Sequence, residues 1–534
     1  MEITLNSPKP ERTVQLELNQ PQAEVNLVRA NSRWLLWGRG TGKTVGGIAP
    51  FMVEVMDAMP GHLGGIFGKT FVHIETNILP KILLGLTELG YTQDVDYVVG
   101  RKPPEEFDKC LYPIKKYDKT IAWKNGTTFQ EVGLHEKGAS NAFDFQSGIF
   151  DEVKYQDPQQ LEDEVYPTFR GFANLWGHLP QYLAKIYCTD KMGDFLQVKW
   201  ILDMRKKMDS KKVATIFTIE KKLIELNSVL DDANSFQRNL ITKRITALHH
   251  RANQLRKGLV HVSEASALDN IENLGIEWLA DKKNRMKKYV FNVAILNKDP
   301  EQSQHGFYHG LSDACFYQPL YNNADLDPEF PLVIAMDYQH SVAPLCVCQV
   351  SNRINNRQQL NFINEFYTLY PHGIVEAVNL FCAYYQHIHN KRVHYIFDQT
   401  AIGKRPGAEP LYKIVINTLK ANKWNVTENY MGDTPDHFDK YNHINDALIG
   451  DKAMPVQFNA DKIIKTKISM QGASTKMTGG KTHKDKEYEN AGKYPNIDQS
   501  ETTHFSDVVD QIIWAVQEMK LINFKSFTSG IPLR

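Results

Sequence analysis

Residues 38–44 read Gly-Arg-Gly-Thr-Gly-Lys-Thr, between the apolar run WLLW and a segment that can start a helix. Gly42, Lys43 and Thr44 complete the C-terminal end of the P-loop pattern G-x-x-x-x-G-K-[ST], which holds a triphosphate. Trp37 stands where the pattern has its first glycine, so Gly38 and Gly40 supply the curvature. Glycines let backbone N–H groups turn inward around phosphate oxygens, and the N-terminus of the following helix adds partial positive charge. On this reading Gly38, Arg39, Gly40, Thr41, Gly42, Lys43 and Thr44 bind ATP, with Lys43 on the β- and γ-phosphates and Thr44 on Mg²⁺. Arg39 either reaches the γ-phosphate or faces solvent. Gln22, upstream, is either an adenine-reading glutamine or a surface residue.

Two sets of carboxylates accompany this loop. SGIFDE reads as a strand ending in Asp151 and Glu152, and a strand beside the P-loop strand would carry both to the γ-phosphate. Asp151 would hold Mg²⁺ through water, and Glu152 would orient and deprotonate the attacking water. AKIYCTD is a further strand, ending in Thr189 and Asp190. Thr189 there either senses the γ-phosphate, as a coupling residue, or caps a loop. The second set lies far downstream: Asp337 ends PLVIAMD, Asp398 ends VHYIFD, and Asp507 and Asp510 share a helix face in HFSDVVDQIIW. Gathered together, these four repel one another unless divalent cations neutralise them. Two ions about 4 Å apart could activate water and stabilise the leaving oxygen of a phosphodiester. Oxygen-only ligands, Asp337, Asp398 and Asp507 foremost, suit Mg²⁺ or Mn²⁺. Glu365 is a weaker fourth candidate with strand packing as its alternative, and His504 could assist proton transfer.

The elements that must position these groups divide the chain in three. Residues 1–195 alternate apolar runs with helical patterns, an α/β unit with a mostly parallel sheet. Residues 196–325 are charged and carry leucine and isoleucine at helical spacing, which predicts a helical connector or lid, or a helical hairpin packed on the first unit. Residues 326–534 open with three strand-like runs, then an amphipathic helix and a strand, and this β-β-β-α-β order begins ribonuclease H-like folds. Residues 476–505 are polar and rich in glycine and lysine and read as a loop, followed by a last helix over about 506–519.

Composition excludes little. Lys plus Arg and Asp plus Glu are 62 each, so any surface for nucleic acid must be local. Lys282, Lys283, Arg285, Lys287 and Lys288 are such a cluster, or a solvated helix face. Six cysteines without a CxxC pair fit a reduced, cytosolic-type protein without structural zinc, and Cys346 and Cys348 read as core. The first residues carry no apolar signal segment and no run approaches roughly 18 apolar residues, so neither secretion nor membrane spanning is expected.

Over nearly its whole length the chain resembles the large terminase subunit of tailed bacteriophages. GRGTGKT looks like that family's P-loop, which often carries an arginine, GIFDE like its Walker B, and YCTDKMGD lies where its coupling motif falls, without the common Ser-Thr-Pro pattern. AMDY, IFDQT and THFSDVVDQIIW resemble its three nuclease motifs, and the lysine-rich KTHKDKEYE before the last is similar too. The resemblance implies a RecA/ASCE-like P-loop ATPase joined by a helical connector to a ribonuclease H-like endonuclease. It further implies a viral DNA-packaging motor that drives double-stranded DNA through the portal protein of a procapsid and cuts concatemers. Implied partners are a small terminase subunit and further copies in a ring, usually a pentamer, in the host cytoplasm and transiently on the procapsid. Two other classes fit parts of the pattern. A repair-type helicase–nuclease would carry a second motor domain with a motif such as Q-x-x-G-R-x-x-R, which the chain lacks, and a non-catalytic P-loop scaffold would hydrolyse nothing.

Overall fold

The apolar runs become strands because they alternate two buried faces. In β1 (Ser32–Trp37), Leu35 and Trp37 pack into one core layer with Phe51, Met52 and Ile186, while Trp34 and Leu36 pack into another with Phe67, Phe150 and Tyr187. Such strands are covered on both sides, as parallel sheets require, and each fully buried large side chain contributes about 1.5–3 kcal/mol. The structure, a computed structural model, describes residues 17–522 except 137, 194, 231–232, 301–305, 355–356, 404–408, 434, 451–452, 479–480 and 495–496. The N-terminal stretch read above for a signal segment therefore lies outside the described residues.

Two compact units form, one of residues 1–193 and 197–300, the other of 194–196 and 301–534. The first contains β1, β2 (Leu63–Gly68), β3 (Tyr97–Val99), β4 (Thr120–Trp123), β5 (Thr128–Gly133), β6 (Ser147–Asp151), β7 (Ala184–Thr189) and β8 (Val260–Ala265). They form one sheet in the order β3-β4-β5-β2-β6-β7-β1-β8, parallel from β5 to β8 and antiparallel at the β3-β4-β5 edge. The carboxylate strand β6 is not the neighbour of β1, contrary to the expectation from sequence; β7 lies between them. An extra strand between the P-loop strand and the acidic strand is the ASCE arrangement.

Of the segment expected as a connector or lid, or as a hairpin packed on the first unit, residues 197–300 group with the first unit. Helices Ser210–Ser228 and Ser235–Arg256 form a hairpin on the first unit: Val213 and Ile216 pack with Val28, Ala30 and Leu259, and Ile219 and Leu223 with Ala252. Arg256 ties its end down, paired with Glu220 at 2.5 Å and donating to the carbonyls of Leu27 and Val28. The chain then returns as β8 at the sheet edge beside β1.

The second unit contains β9 (Phe316–Tyr317), β10 (Leu332–Met336), β11 (Val342–Ile354), β12 (Arg357–Leu369), β13 (Arg392–Phe397), β14 (Asn425–Tyr430) and β15 (Val456–Asn459). Their order is β14-β13-β10-β11-β12-β15-β9; β10, β11 and β12 are antiparallel neighbours, and β13 and β14 run parallel to β10. This is the ribonuclease H-like sheet. Cys346 and Cys348 are core residues, fully buried with Phe362, Phe505 and Val509. The last helix, His504–Gln517, packs on β10, β11 and β13. The stretch 476–505, read as a loop, contains a hairpin of β16 (Thr475–Thr478) and β17 (Lys481–Lys484). Among the described residues no helix is long and apolar enough to cross a membrane.

Candidate functional site

The glycine loop leaves β1 at Gly38 and enters a helix at Thr44 that continues as Ala49–Ala58. Gly40 and Gly42 have φ of +89° and +77°, a region costly for any residue with a Cβ. The loop's carbonyls are tied from outside: Asn270 donates to Gly40 at 2.8 Å, and Gln22 Nε2 to Thr41 and Gly42 at 3.2 and 3.3 Å. The backbone N–H of Arg39 donates to Ala294 at 2.7 Å. Gln22 also accepts from Asn19 N–H, so its polar atoms brace the loop rather than standing open to a base. Trp37 closes β1 with its ring fully buried and its indole N–H on Ser263 Oγ at 2.9 Å. It belongs to the core beneath the loop, which explains why a glycine is dispensable there.

A pocket of about 480 Å³ opens at this loop, lined by Arg39 to Val45, by Glu152, and by Lys81 and Leu84 from the helix Leu79–Glu88. Lys43 is turned onto the carbonyls of Trp37 and Gly38, at 2.8 and 3.2 Å. Burial pulls its ammonium below its usual range, against Glu152, Asp190 and Asp151. Asp151 ends β6; burial first, then Glu152, push its carboxyl up to about 6. Glu152 follows with φ of +48° and a buried Oε2 that has no hydrogen bond. A buried Asp151 and a half-buried Glu152, with Thr44 on the loop, are oxygen donors of the kind Mg²⁺ takes. Thr189 is buried, and its hydroxyl donates to the carbonyl of Asp190 at 3.0 Å. Asp190, named above only as a strand end, carries far more: it accepts from Arg39 Nε at 3.0 Å, from Met192 N–H at 2.8 Å and from the ammonium of Lys154.

In the second unit, parallel register sets the first two carboxylates side by side. Ala335 of β10 pairs with Ile396 of β13, and Asp337 and Asp398 lie two residues beyond each. The final helix adds Asp507 and Asp510, and all four line one cavity of about 170 Å³ together with Lys440 and Lys486. Asp337 accepts from His504 Nδ1 at 2.9 Å and from Tyr338 N–H at 2.8 Å. Burial opposes protonation of His504, but Asp337, with Glu489 and Asp507, outweighs it and raises the imidazole pKa. Asp398 accepts from Thr400 N–H at 3.0 Å and so starts the helix Gln399–Ile402.

The helical carboxylates are neutralised by lysines, contrary to the expectation that only metal could do so. Lys484, fully buried at the end of β17, lies 2.7 Å from Asp507 and 2.6 Å from Asp510, and Lys486 also pairs with Asp507. Tyr308 donates to the other oxygen of Asp510 at 2.7 Å. Burial would raise the Asp507 carboxyl, but Lys484, Lys486 and Lys440 hold it well below the usual range. Among the described residues no three His, Cys, Asp or Glu side chains stand close enough together to hold a metal ion. The donors fit such an ion in kind; Asp337 and Asp398 flank the cavity, and Asp507 would have to exchange a lysine for it. Glu365 is elsewhere, capping the helix Ile464–Gly472 by accepting from Lys465 and Thr466 N–H at 2.6 and 2.9 Å. Of the basic cluster, Lys283, Arg285, Lys287 and Lys288 are exposed, and Arg285 pairs with Asp281 at 2.6 Å.

Similar solved structures include large terminases. One from a thermophilic bacteriophage, in complex with ADP, overlaps 93% of this chain and 99% of its own, at 11% identity and a TM-score of 0.35. The HK97 bacteriophage large terminase overlaps 94% and 95%, at 9% identity and 0.35. Thermus thermophilus RuvC overlaps 23% of this chain and 83% of its own, at 11% and 0.15. No protein-family model and no curated protein matches the chain. Overlaps this loose leave the chemistry to the residues themselves.

Proposed function

We propose that the chain is an ATP-driven motor that moves double-stranded DNA into a viral procapsid through its portal, and a metal-dependent endonuclease that cuts that DNA. The observation that carries this reading is that each unit separately brings carboxylates from the C-terminal ends of parallel strands to a pocket: Glu152 after β6, beside a glycine loop ending in Lys43-Thr44, and Asp337 and Asp398 after β10 and β13, where the last helix adds Asp507 and Asp510. The terminase-like motifs of both halves support packaging as the use of the energy.

In the first unit Lys43 holds the β- and γ-phosphates, Glu152 takes the proton of the attacking water, and Arg39 meets charge building on the γ-phosphoryl group. In the second, Asp337, Asp398 and Asp507 address the scissile phosphodiester, while Asp510 and Lys484 hold the last helix in place. Thr44 and Asp151 would hold Mg²⁺, and Asp337, Asp398 and Asp507 would hold Mg²⁺ or Mn²⁺, which when bound would supply positive charge to the phosphate. DNA is bound through its backbone, because a motor must pass every sequence. The portal, a small terminase subunit and further copies of the chain in a ring complete the machine. The direct test is steady-state ATP hydrolysis and nicking of supercoiled plasmid by the full chain. A chain that binds ATP but does neither is a scaffold, and one that unwinds a duplex in place of packaging it is a helicase–nuclease.

A further inference from the structure

Sheet order places β7 between β1 and β6, so the residue that follows β7 stands between the phosphate loop and the Asp151-Glu152 turn. That residue is Asp190, and its carboxylate bridges the two. One oxygen accepts from Arg39 Nε at 3.0 Å; the other accepts from the Lys154 ammonium and from Met192 N–H at 2.8 Å. Lys154 in turn lies 3.5 Å from Glu152 Oε2. Burial alone would raise the Asp190 carboxyl, but Lys154, the Met192 N–H and Lys43 hold it below its ordinary range, so it is a fixed negative charge. The Asp190 and Lys154 side chains are 1% and 2% exposed, whereas Arg39 is 55% exposed and lines the pocket.

A buried ion pair is a poor source of stability, since apolar side chains of similar volume often replace it at no cost. Its geometry here offers something else. Asp190 engages Arg39 through Nε alone, which leaves the terminal nitrogens of the guanidinium, on a side chain that lines the pocket, available to a phosphate oxygen. Glu152 sits on a left-handed backbone, φ +48° and ψ +46°, with Lys154 as the cation next to its carboxylate. Such backbone is kept where the surroundings over-determine it.

We propose that Asp190 is the positioning residue of the ATP site: it sets Arg39 on one side of the pocket and, through Lys154, sets Glu152 on the other. The assignment rests on the ATPase reading above. It moves the expected role of the β7 end from Thr189, whose hydroxyl is turned onto its neighbour's carbonyl, to Asp190. The arrangement acts on turnover and not on nucleotide affinity, because the phosphates are held by the loop and Lys43.

The test uses the full chain with both buried charges removed together, Lys154→Met with Asp190→Asn, since either change alone strands a buried ion. Measured are Tm, the Kd of a fluorescent ADP analogue, and kcat for ATP. The expected result is a Tm at or above that of the parent, a Kd within about threefold, and a kcat lower by about 10²-fold, the cost of a small misplacement of reacting groups. Asp190→Asn alone should show the same split between kcat and Kd if it folds. A doubly substituted chain with kcat within about threefold of the parent overturns the proposal, as does a loss of kcat matched by an equal loss of affinity. Lys43→Ala run alongside separates the two claims. If the parent does not hydrolyse ATP, or Lys43→Ala hydrolyses it equally well, the ATPase reading falls and this inference with it. If only the doubly substituted chain behaves like the parent, the inference alone falls.

Discussion

The ammonium of Lys484 lies 2.6 Å from a carboxylate oxygen of Asp510, and neither side chain reaches solvent. The same lysine holds Asp507 at 2.7 Å, so one cation from β17 spans a full turn of the last helix. The two carboxylates are not equivalent. Both oxygens of Asp510 are taken inside the protein, by Lys484 and Tyr308, whereas the other partner of Asp507 is Lys486, whose side chain is 40% exposed and can leave. Asp507→Asn is therefore expected to abolish plasmid cleavage with a smaller loss of Tm than Asp510→Asn. Asp510→Asn should retain more cleavage and lose stability, up to about 3 kcal/mol, as expected when one partner of a buried ion pair is removed. Cleavage assays and thermal melts of the two variants decide the matter; the reverse order of effects moves the site role to Asp510.

In the first unit, Lys43→Ala and Glu152→Ala should each abolish ATP turnover, but for different reasons. In the proposed role Lys43 would contact phosphate, so its loss should weaken ADP and ATP binding as well. Glu152 would act on the attacking water, so its loss should leave binding largely intact. Titration with a fluorescent nucleotide beside the hydrolysis rate separates the two, and wild-type turnover by Glu152→Ala removes it from the assignment.

Much of this is legible in the sequence because strand ends announce themselves. Asp151, Asp337 and Asp398 each close an apolar run, and the structure puts each at the end of a strand, Asp337 and Asp398 lining one cavity and Asp151 next to Glu152, which lines the other. The sheet order is not legible: nothing local in SGIFDE says that β7 separates it from β1, since that is decided by which helices cover which faces. For the same reason Asp190 does not stand out, because a strand-end aspartate looks like a cap until two cations from separate elements are found on it. Lys484 and Lys486 sit inside a polar, glycine-containing stretch whose composition resembles a solvated loop. Lys484 is buried because it meets Tyr308, Asp507 and Asp510, groups remote in sequence, whereas Lys486 pairs with Asp507 from a side chain that stays 40% exposed. Charge and helical periodicity describe residues 210–256 well but miss β8, whose VHVSEA run gains its strand form from the exposed edge of β1.

Acid should weaken the first unit through His62. Its imidazole is fully buried, with Nδ1–H donating to the Met59 carbonyl and Nε2 accepting from Ser147 Oγ, both at 2.8 Å. Burial, only partly opposed by the Met59 carbonyl, pulls its pKa from 6.5 to about 4. In the unfolded chain the ring takes up a proton near 6.5, whereas the folded chain keeps it neutral to about 4. The contribution is thus intact above pH 6.5 and lost as pH falls toward 4, amounting to about 3 kcal/mol across that window. His62→Gln should flatten the fall of stability between those values in urea melts, and an unchanged slope in that variant assigns the acid sensitivity to other groups.

The two chemistries should also separate. Asp398→Ala is expected to keep the ATPase rate of the parent and lose cleavage, because the two carboxylate sets lie in different compact units. Cleavage by the parent should require Mg²⁺ or Mn²⁺ and fail in Ca²⁺, whose longer and looser coordination places water poorly. Loss of both activities in a folded Asp398→Ala chain, or cleavage in the presence of chelator, contradicts this division.

If ATP hydrolysis by this chain moves DNA, procapsids that carry their portal should take DNA up in its presence. Supplied with the full chain, ATP and Mg²⁺, the procapsids should protect double-stranded DNA from added nuclease, in an amount that rises with time and with ATP. Lys43→Ala should abolish protection, and Asp398→Ala should preserve it on DNA that is already linear. Brisk ATP hydrolysis without any protected DNA, or protection that proceeds equally with Lys43→Ala, would contradict the account.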